Sequence, residues 1–275
     1  MTKRNRAPIG VDPTKPNAAR VYNYMLDGQD NYEADRIVAE RMLQVAPDTK
    51  ATAWFSRRFL LKAVELAAEA GITQFLDIGA GIPISPNVHE VAQDIRPESR
   101  VVYIDFDPVV IAHANALLTS APGVSSMLAD IRNPDEIIER ARKEHDIDFD
   151  RPVAIVIVGV LHFVMDDEQP AEILARFRDE LAPGSLVAFT HASDHTNQMF
   201  MTQSSNDLIN SPAQVQFRSP EQVKPLLDGF DIVEPGVSIV QNWLVNNELP
   251  ETRFTGGGPL PETRLVVLGA VGRKP

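Results

Sequence analysis

The sequence predicts an α/β fold in which a doubly wound, mostly parallel sheet carries helices on both faces. Three observations predict it. Apolar runs of strand length alternate with helical patterns along the whole chain. Runs such as Val153 to Val158 are apolar on successive residues instead of on every second one, as expected of strands covered on both sides. The intervening helices open with a capping side chain followed by proline at the first helical position.

In chain order, residues 1–16, MTKRNRAPIGVDPTKP, are basic and Pro-rich with little apolar surface, and read as a flexible tail. Residues 17–70 read as a helical cap and 71–275 as the core of one domain that begins at residue 17. The predicted strands are TQFLDI, VVYIDF, SSML, PVAIVIV, SLVAFTH and RLVVLGAV. Helix starts are marked by Asp107-Pro108, Asn133-Pro134 and Ser219-Pro220, and Pro183-Gly184 marks the exit from a helix that begins near Asp167. Residues 250–263, PETRFTGGGPLPET, read as a long loop before the last strand.

Composition excludes several function classes. The chain has no cysteine, so disulfides, a thiol nucleophile and thiolate zinc sites are ruled out. A formal net charge of -12 disfavours bare nucleic acid as a partner, because phosphate neutralisation needs clustered Lys and Arg. No segment approaches the ~18 consecutive apolar residues of a membrane span, and the start lacks the apolar core of a signal peptide. A cytoplasmic protein with a small-molecule substrate, no nucleic-acid partner and no membrane partner is the expectation; the sequence leaves its oligomeric state open.

The chemistry concentrates at strand ends. In FLDIGAGIPIS the strand ending at Ile78 runs into Gly79-Ala80-Gly81, where missing Cβ atoms allow a tight turn and a close ligand. A dinucleotide fingerprint wants a third glycine where Ile84 stands, and Pro83 lacks an amide a pyrophosphate would use. A nicotinamide-dependent oxidoreductase is thus the weaker reading. Asp77 would repel a pyrophosphate but suits an amino group or a sulfonium, both of which S-adenosylmethionine carries.

The next strand ends in Asp105, about where doubly wound folds place the acid that takes the ribose hydroxyls. The third ends in Asp130-Ile131, where a carboxylate can accept from an adenine amino group while the Ile131 amide donates to a ring nitrogen, and Phe106 can cover the ring. Three successive strands ending in Asp at one sheet edge form a constellation, although each acid alone reads equally as a helix cap. Gly159, past the fourth strand, completes the candidate cofactor rim.

FLDIGAGIP, NVHEVAQ, RVVYIDFDPVVIAHANALL, ADIRNP, PVAIVIVGVLHFV and the N-terminal ARVYNYMLDGQDNYEADR resemble a bacterial family of class I S-adenosylmethionine-dependent methyltransferases long catalogued as a domain of unknown function. The resemblance covers roughly residues 17 to 272. It implies a seven-stranded Rossmann-like methyltransferase sheet with a reversed last hairpin, S-adenosylmethionine as cofactor, and an N-terminal helical lid folded over it. Arg20 would then take the methionine carboxylate and Tyr22 would close the methyl end, unless the segment is an amphipathic helix with solvated charges.

The acceptor side is less legible. His162, in GVLHF, lies where an acceptor would meet the methyl group and is a candidate general base, or a loop histidine bonded to backbone. His191 and His195 have metal-binding spacing but lack the partner glutamate, and His89 reads as part of a helix. Asp194 to Pro220 and Gln241 to Pro259, with Met199, Phe200, Met201 and Trp243, are expected to wall the acceptor site unless they pack the core. Asn-Pro-Pro-Tyr is absent at the fourth strand end, which disfavours nucleic-acid bases and glutamine. The expectation is a methyltransferase with a small-molecule acceptor and direct in-line transfer. A non-catalytic S-adenosylmethionine sensor or scaffold would carry the same motifs.

Overall fold

The computed structural model describes residues 12–208, 214–244 and 264–275. Its sheet has the strand order β3-β2-β1-β4-β5-β8-β6, with β7 also paired to β8. The strands are β1 (Gln74–Ile78), β2 (Arg100–Asp105), β3 (Val124–Leu128), β4 (Ala154–Ile157), β5 (Leu186–Ala192), β6 (Asp231–Ile232), β7 (Ser238–Ile239) and β8 (Val267–Arg273). Strands β1 to β5 pair in parallel, and β8 runs antiparallel to β5, β6 and β7. The order turns back between β1 and β4, which is where open α/β sheets bind ligands.

The expected six runs all form strands. The short strands β6 and β7 were not foreseen; both pair with the same β8, at Gly272–Arg273 and at Leu268–Gly269, so they act as one interrupted edge strand. Counted so, the sheet has the expected seven positions. Two-residue pieces carry too little apolar pattern to stand out in sequence.

Both faces are covered, as the uninterrupted apolar runs require. Leu76, Ile78, Ile155 and Ile157 pack toward α6 (Pro134–Glu144) and α7 (Pro170–Glu180), while Phe75, Ala154 and Val156 pack toward α3 (Thr49–Glu69), α4 (Val88–Ile95) and α5 (Pro108–Leu117). Asp107 caps α5 and Asn133 precedes α6, as predicted. The helix expected near Asp167 starts at Pro170 instead: a 3-10 turn at Asp166–Glu168 comes first, and Gln169 between them is left-handed at φ 55°. Helix α9 (Pro220–Val223) follows Ser219 but lasts only four residues.

The helical segment before the sheet divides differently from the expectation. Helix α3 is a sheet-covering element, with Phe55, Phe59 and Val64 in the core. Only α1 (Ala18–Met25) and α2 (Glu33–Val45) form a separate unit, packed on α3 through Met25, Leu26, Ala39 and Ala53. Residues 12–15 also belong to this unit, because Arg20 Nη2 donates to the Lys15 carbonyl at 2.6 Å. The loop expected at 250–263 lies outside the described residues.

Candidate functional site

The glycine turn is shaped by its neighbours. Gly79 has φ +74°, and a Cβ there would lie 2.0 Å from Val160 Cγ2, so the turn presses against the exit of β4. Gly81 has φ +65° with open space at its Cβ position, so the surface beside it can admit a ligand. The turn amides are not free to cradle an anion. Gly79 and Ala80 donate to the Ile104 carbonyl at 2.7 and 3.1 Å, and Gly81 donates to Asp105 Oδ2 at 3.0 Å. A pyrophosphate would find no donors from these three residues, which is a stronger argument against a dinucleotide than the missing third glycine.

The structure brings Asp77 and Asp105 together around this turn. Asp105, 5% exposed, accepts from Gly81 on one oxygen and from the Asp107 amide on the other at 2.9 Å. Burial pushes its carboxyl up to about 6 against the pull of those amides. Asp77, 3% exposed, has no hydrogen-bond partner among the described residues. Burial drives it up to about 7; the Arg57 charge pulls it down and Asp105 adds a smaller upward push. Phe106 stands half out of the surface at 50% exposure, as a ring awaiting a stacking partner would. Asp130 is tied at 3.1 and 3.2 Å to Arg132, which also bonds Glu168 and the Phe163 carbonyl, so this acid is braced from the far side. The Ile131 side chain is buried in the core. Gly159 is left-handed with open space at its Cβ position, and its amide donates to Thr190 Oγ1 at 2.9 Å.

Arg20 is placed differently from the expectation. It is 4% exposed, donates through Nε to Asp35 at 2.9 Å and lies over the Tyr32 ring, so its charge joins α1 to α2. Tyr22 donates to the Ala53 carbonyl at 3.0 Å, and burial raises its hydroxyl to about 12 with Arg57 pulling the other way. Asn17, which caps α1, donates to Asp107, two residues past Asp105, so the α1–α2 unit rests on the rim of the candidate site.

His162 sits on a 3-10 turn, Leu161–Phe163, just past β4. Burial, with His191 and Arg218 nearby, lowers it to about 3, and its buried Nδ1 has no partner. A base that weak accepts few protons at neutral pH, which argues against the expected general-base role. His191 is at the end of β5, fully buried and lowered to about 4, mainly by burial. Its Nδ1 faces the Ala192 carbonyl at 2.9 Å and its Nε2 faces Arg218 Nη1 at 2.6 Å, which assigns a neutral ring protonated at Nδ1. Arg218 also donates to Asp166 and to the Leu161 and Val164 carbonyls, clasping the His162 turn to β5. Among the described residues there is no cluster of three metal-ligating side chains.

Trp243, expected on an acceptor wall, is in the core: it packs edge-on against Phe59 at 5.5 Å and donates to the Gly269 carbonyl. Phe200 is buried on α8 (Gln198–Leu208), while Met199 is 71% exposed and Met201 half-buried. Sequence reasoning missed Arg57, Arg132 and Arg218. For Arg57 a signal existed: it interrupts the apolar helical stripe it shares with Leu60, Leu61 and Val64, but Arg58 beside it suggests a solvated pair. Arg218 has no local signal, because its partners lie 27 to 57 residues away in the chain.

The chain matches the family model described as S-adenosyl methyltransferase over residues 4–275. A crystal structure of a candidate methyltransferase from Thermobifida fusca is 36% identical, with a TM-score of 0.85 over 98% of this chain and 99% of that one. A DUF574 family protein from Streptomyces avermitilis is 33% identical, with a TM-score of 0.84 over 96% of this chain and 99% of that one. The N-methyltransferase NodS from Bradyrhizobium japonicum, crystallised with S-adenosyl-l-homocysteine, shares the fold at 17% identity and a TM-score of 0.50, covering 93% of this chain and 99% of that one. No curated protein sequence matches the chain.

Proposed function

The chain belongs to the S-adenosyl methyltransferase family and takes S-adenosylmethionine as its cofactor, and from that premise we propose direct in-line methyl transfer to a small-molecule acceptor, the cofactor held at the ends of β1–β3 and the acceptor received at the ends of β4–β5. The observation that carries this reading is the meeting of two buried carboxyls, Asp77 and Asp105, at a glycine turn whose own amides are consumed inside the fold. Such a rim favours a ligand that brings hydroxyl donors and a cation over one that brings phosphates.

When bound, the cofactor supplies an activated methyl group on a good leaving group, so little covalent work falls to the protein. The chain's own residues align and desolvate. Each oxygen of Asp105 accepts one backbone amide and keeps a lone pair for a ribose hydroxyl. Phe106 covers the adenine, Asp130 accepts from its amino group and the Ile131 amide donates to the ring. Gly79, Ala80 and Gly81 form the floor, and Gly159 leaves room toward the acceptor. The α1–α2 unit serves as a lid, with Tyr22 at the methyl end. The neutral His162 positions the acceptor without taking its proton, so the accepting atom arrives already nucleophilic.

Calorimetry tests the cofactor assignment: S-adenosylmethionine should bind and NAD should not. Release of S-adenosylhomocysteine in the presence of fractionated metabolite pools tests the acceptor class. Saturable binding of NAD, or turnover only with a macromolecular fraction, would overturn this reading.

A further inference from the structure

Every carbonyl from Leu161 to Val164, the turn that carries His162, is held by a donor from far along the chain. Arg218 donates to Leu161 at 3.5 Å and to Val164 at 3.0 Å, the Gln216 amide donates to His162 at 2.7 Å, and Arg132 Nη2 donates to Phe163 at 2.9 Å. A single 3-10 turn has little stability of its own, so these donors decide where His162 stands. The two arginines grip it from different sides. Arg218 reaches it from beside β5 and is 4% exposed, whereas Arg132 comes from the loop between β3 and α6 and its side chain is 31% exposed.

Every nitrogen of the Arg132 guanidinium is used. Nε donates to Glu168 at 2.6 Å, and Nη1 donates to the two oxygens of Asp130 at 3.2 and 3.1 Å. Glu168 accepts from the Met165 amide at 2.7 Å with its other oxygen, so it fastens the chain just past the turn. One side chain thus joins the end of β3 to the backbone at 163 and, through Glu168, at 165. Asp130 Oδ2 accepts only Nη1 among the described residues and keeps a lone pair. Asp130 and Glu168 are each 33% exposed, so water weakens these charged bonds in the free protein.

Resting on the reading above, in which Asp130 meets the adenine and His162 the acceptor, we propose that Arg132 is a positioning residue that couples the two: filling the adenine end firms the His162 turn. An adenine on Asp130 displaces water from the Asp130–Arg132 pair, and each bond of the guanidinium, the one to Phe163 included, strengthens as its surroundings become less polar. The coupling runs both ways, so an acceptor that settles the turn tightens the hold on the adenine. The alternative role for Arg132 is to neutralise two neighbouring acids, and it makes a different forecast: the turn would be indifferent to the ligand, and a lysine would serve as well.

Amide hydrogen exchange on the full chain, with and without saturating S-adenosylhomocysteine, separates the two roles. In the wild type the ligand should slow exchange by about fivefold or more at residues 103–107, beside the ribose acid, and also at residues 161–168. An analogue without the 6-amino group, again at saturation, should protect 103–107 equally and 161–168 less. Arg132→Met should keep the protection at 103–107 and lose it at 161–168, and Arg132→Lys should not restore it. Equal protection of 161–168 by the two ligands, no protection of it by either, or ligand-dependent protection that survives in Arg132→Met or returns in Arg132→Lys would overturn the coupling. If S-adenosylhomocysteine protects neither segment, the cofactor reading itself has failed. The two-ligand comparison in the wild type decides the question even where a variant does not fold.

Discussion

The two halves of the strand-end rim are both desolvated, yet they answer burial in opposite ways. At β1 and β2 the buried groups are acids raised toward neutrality, Asp77 to about 7 and Asp105 to about 6. At β4 and β5 they are histidines lowered out of the physiological range, His162 to about 3 and His191 to about 4. Burial disfavours the charged form in each case, so the acids and the histidines are all shifted toward their neutral forms. The difference lies in partners. The acid half keeps lone pairs in reserve, while the histidine half is closed internally by Arg218, which bonds His191, Asp166 and two backbone carbonyls. One half is built to take a ligand's charges, and the other to hold a shape.

The sharpest way to break this contrast is to remove the clasp. Arg218→Ala should cost about 3 kcal/mol of stability, the scale for opening a buried hydrogen-bonded charge, while S-adenosylhomocysteine affinity at a temperature where the variant is folded stays within a few-fold. Chemical denaturation and calorimetry on the same sample would test it. A large affinity loss without a stability loss would mean that Arg218 belongs to the cofactor half.

Asp105→Ala should do the reverse, weakening S-adenosylmethionine by about 1.5–3 kcal/mol, the range for hydrogen bonds to a charged group. Unchanged affinity would remove Asp105 from the site.

The pH response sharpens the contrast further. Both acids titrate higher folded than unfolded, so the folded chain holds more protons between about pH 4 and 7 and, from these two groups, its stability falls as pH rises through that window. A ligand cation at Asp77 favours the ionised form. Affinity for S-adenosylhomocysteine should therefore climb from pH 5 to pH 7.5 with proton release, visible as a dependence of the binding enthalpy on buffer. An affinity independent of pH would leave Asp77 outside the contact.

The smallest effect belongs to Asp130, already braced by Arg132. Asp130→Ala should cost adenosyl ligands about 1 kcal/mol and an analogue without the 6-amino group less, as binding isotherms for the two would show. Equal losses would reduce Asp130 to a brace.

Much of this was legible in the chain. The continuous apolar run at Val153–Val158 foretold a strand covered on both faces, and Asp107-Pro108 marked the start of α5, because period and capping act within a few residues. The strand-end positions of Asp77, Asp105 and Asp130 followed from the same reasoning. The roles of arginines did not. Arg20 and Arg57 are both polar residues in helical segments, and sequence favoured the one in the more polar context. Folding sends Arg20 to Asp35 and puts Arg57 on the carbonyls of Ile84 and Pro86, just past the glycine turn.

By itself, the sequence determined the elements, their order and the acids at the strand ends, since backbone period, proline and glycine constraints, and the alternation of strand and helix are local properties. Only the tertiary structure decided which charges are spent and which are kept. That choice depends on distances between segments far apart in the chain, as with Arg218 reaching back to His191 and Asp166, and on a desolvation that exists only once the sheet and its covering helices have closed.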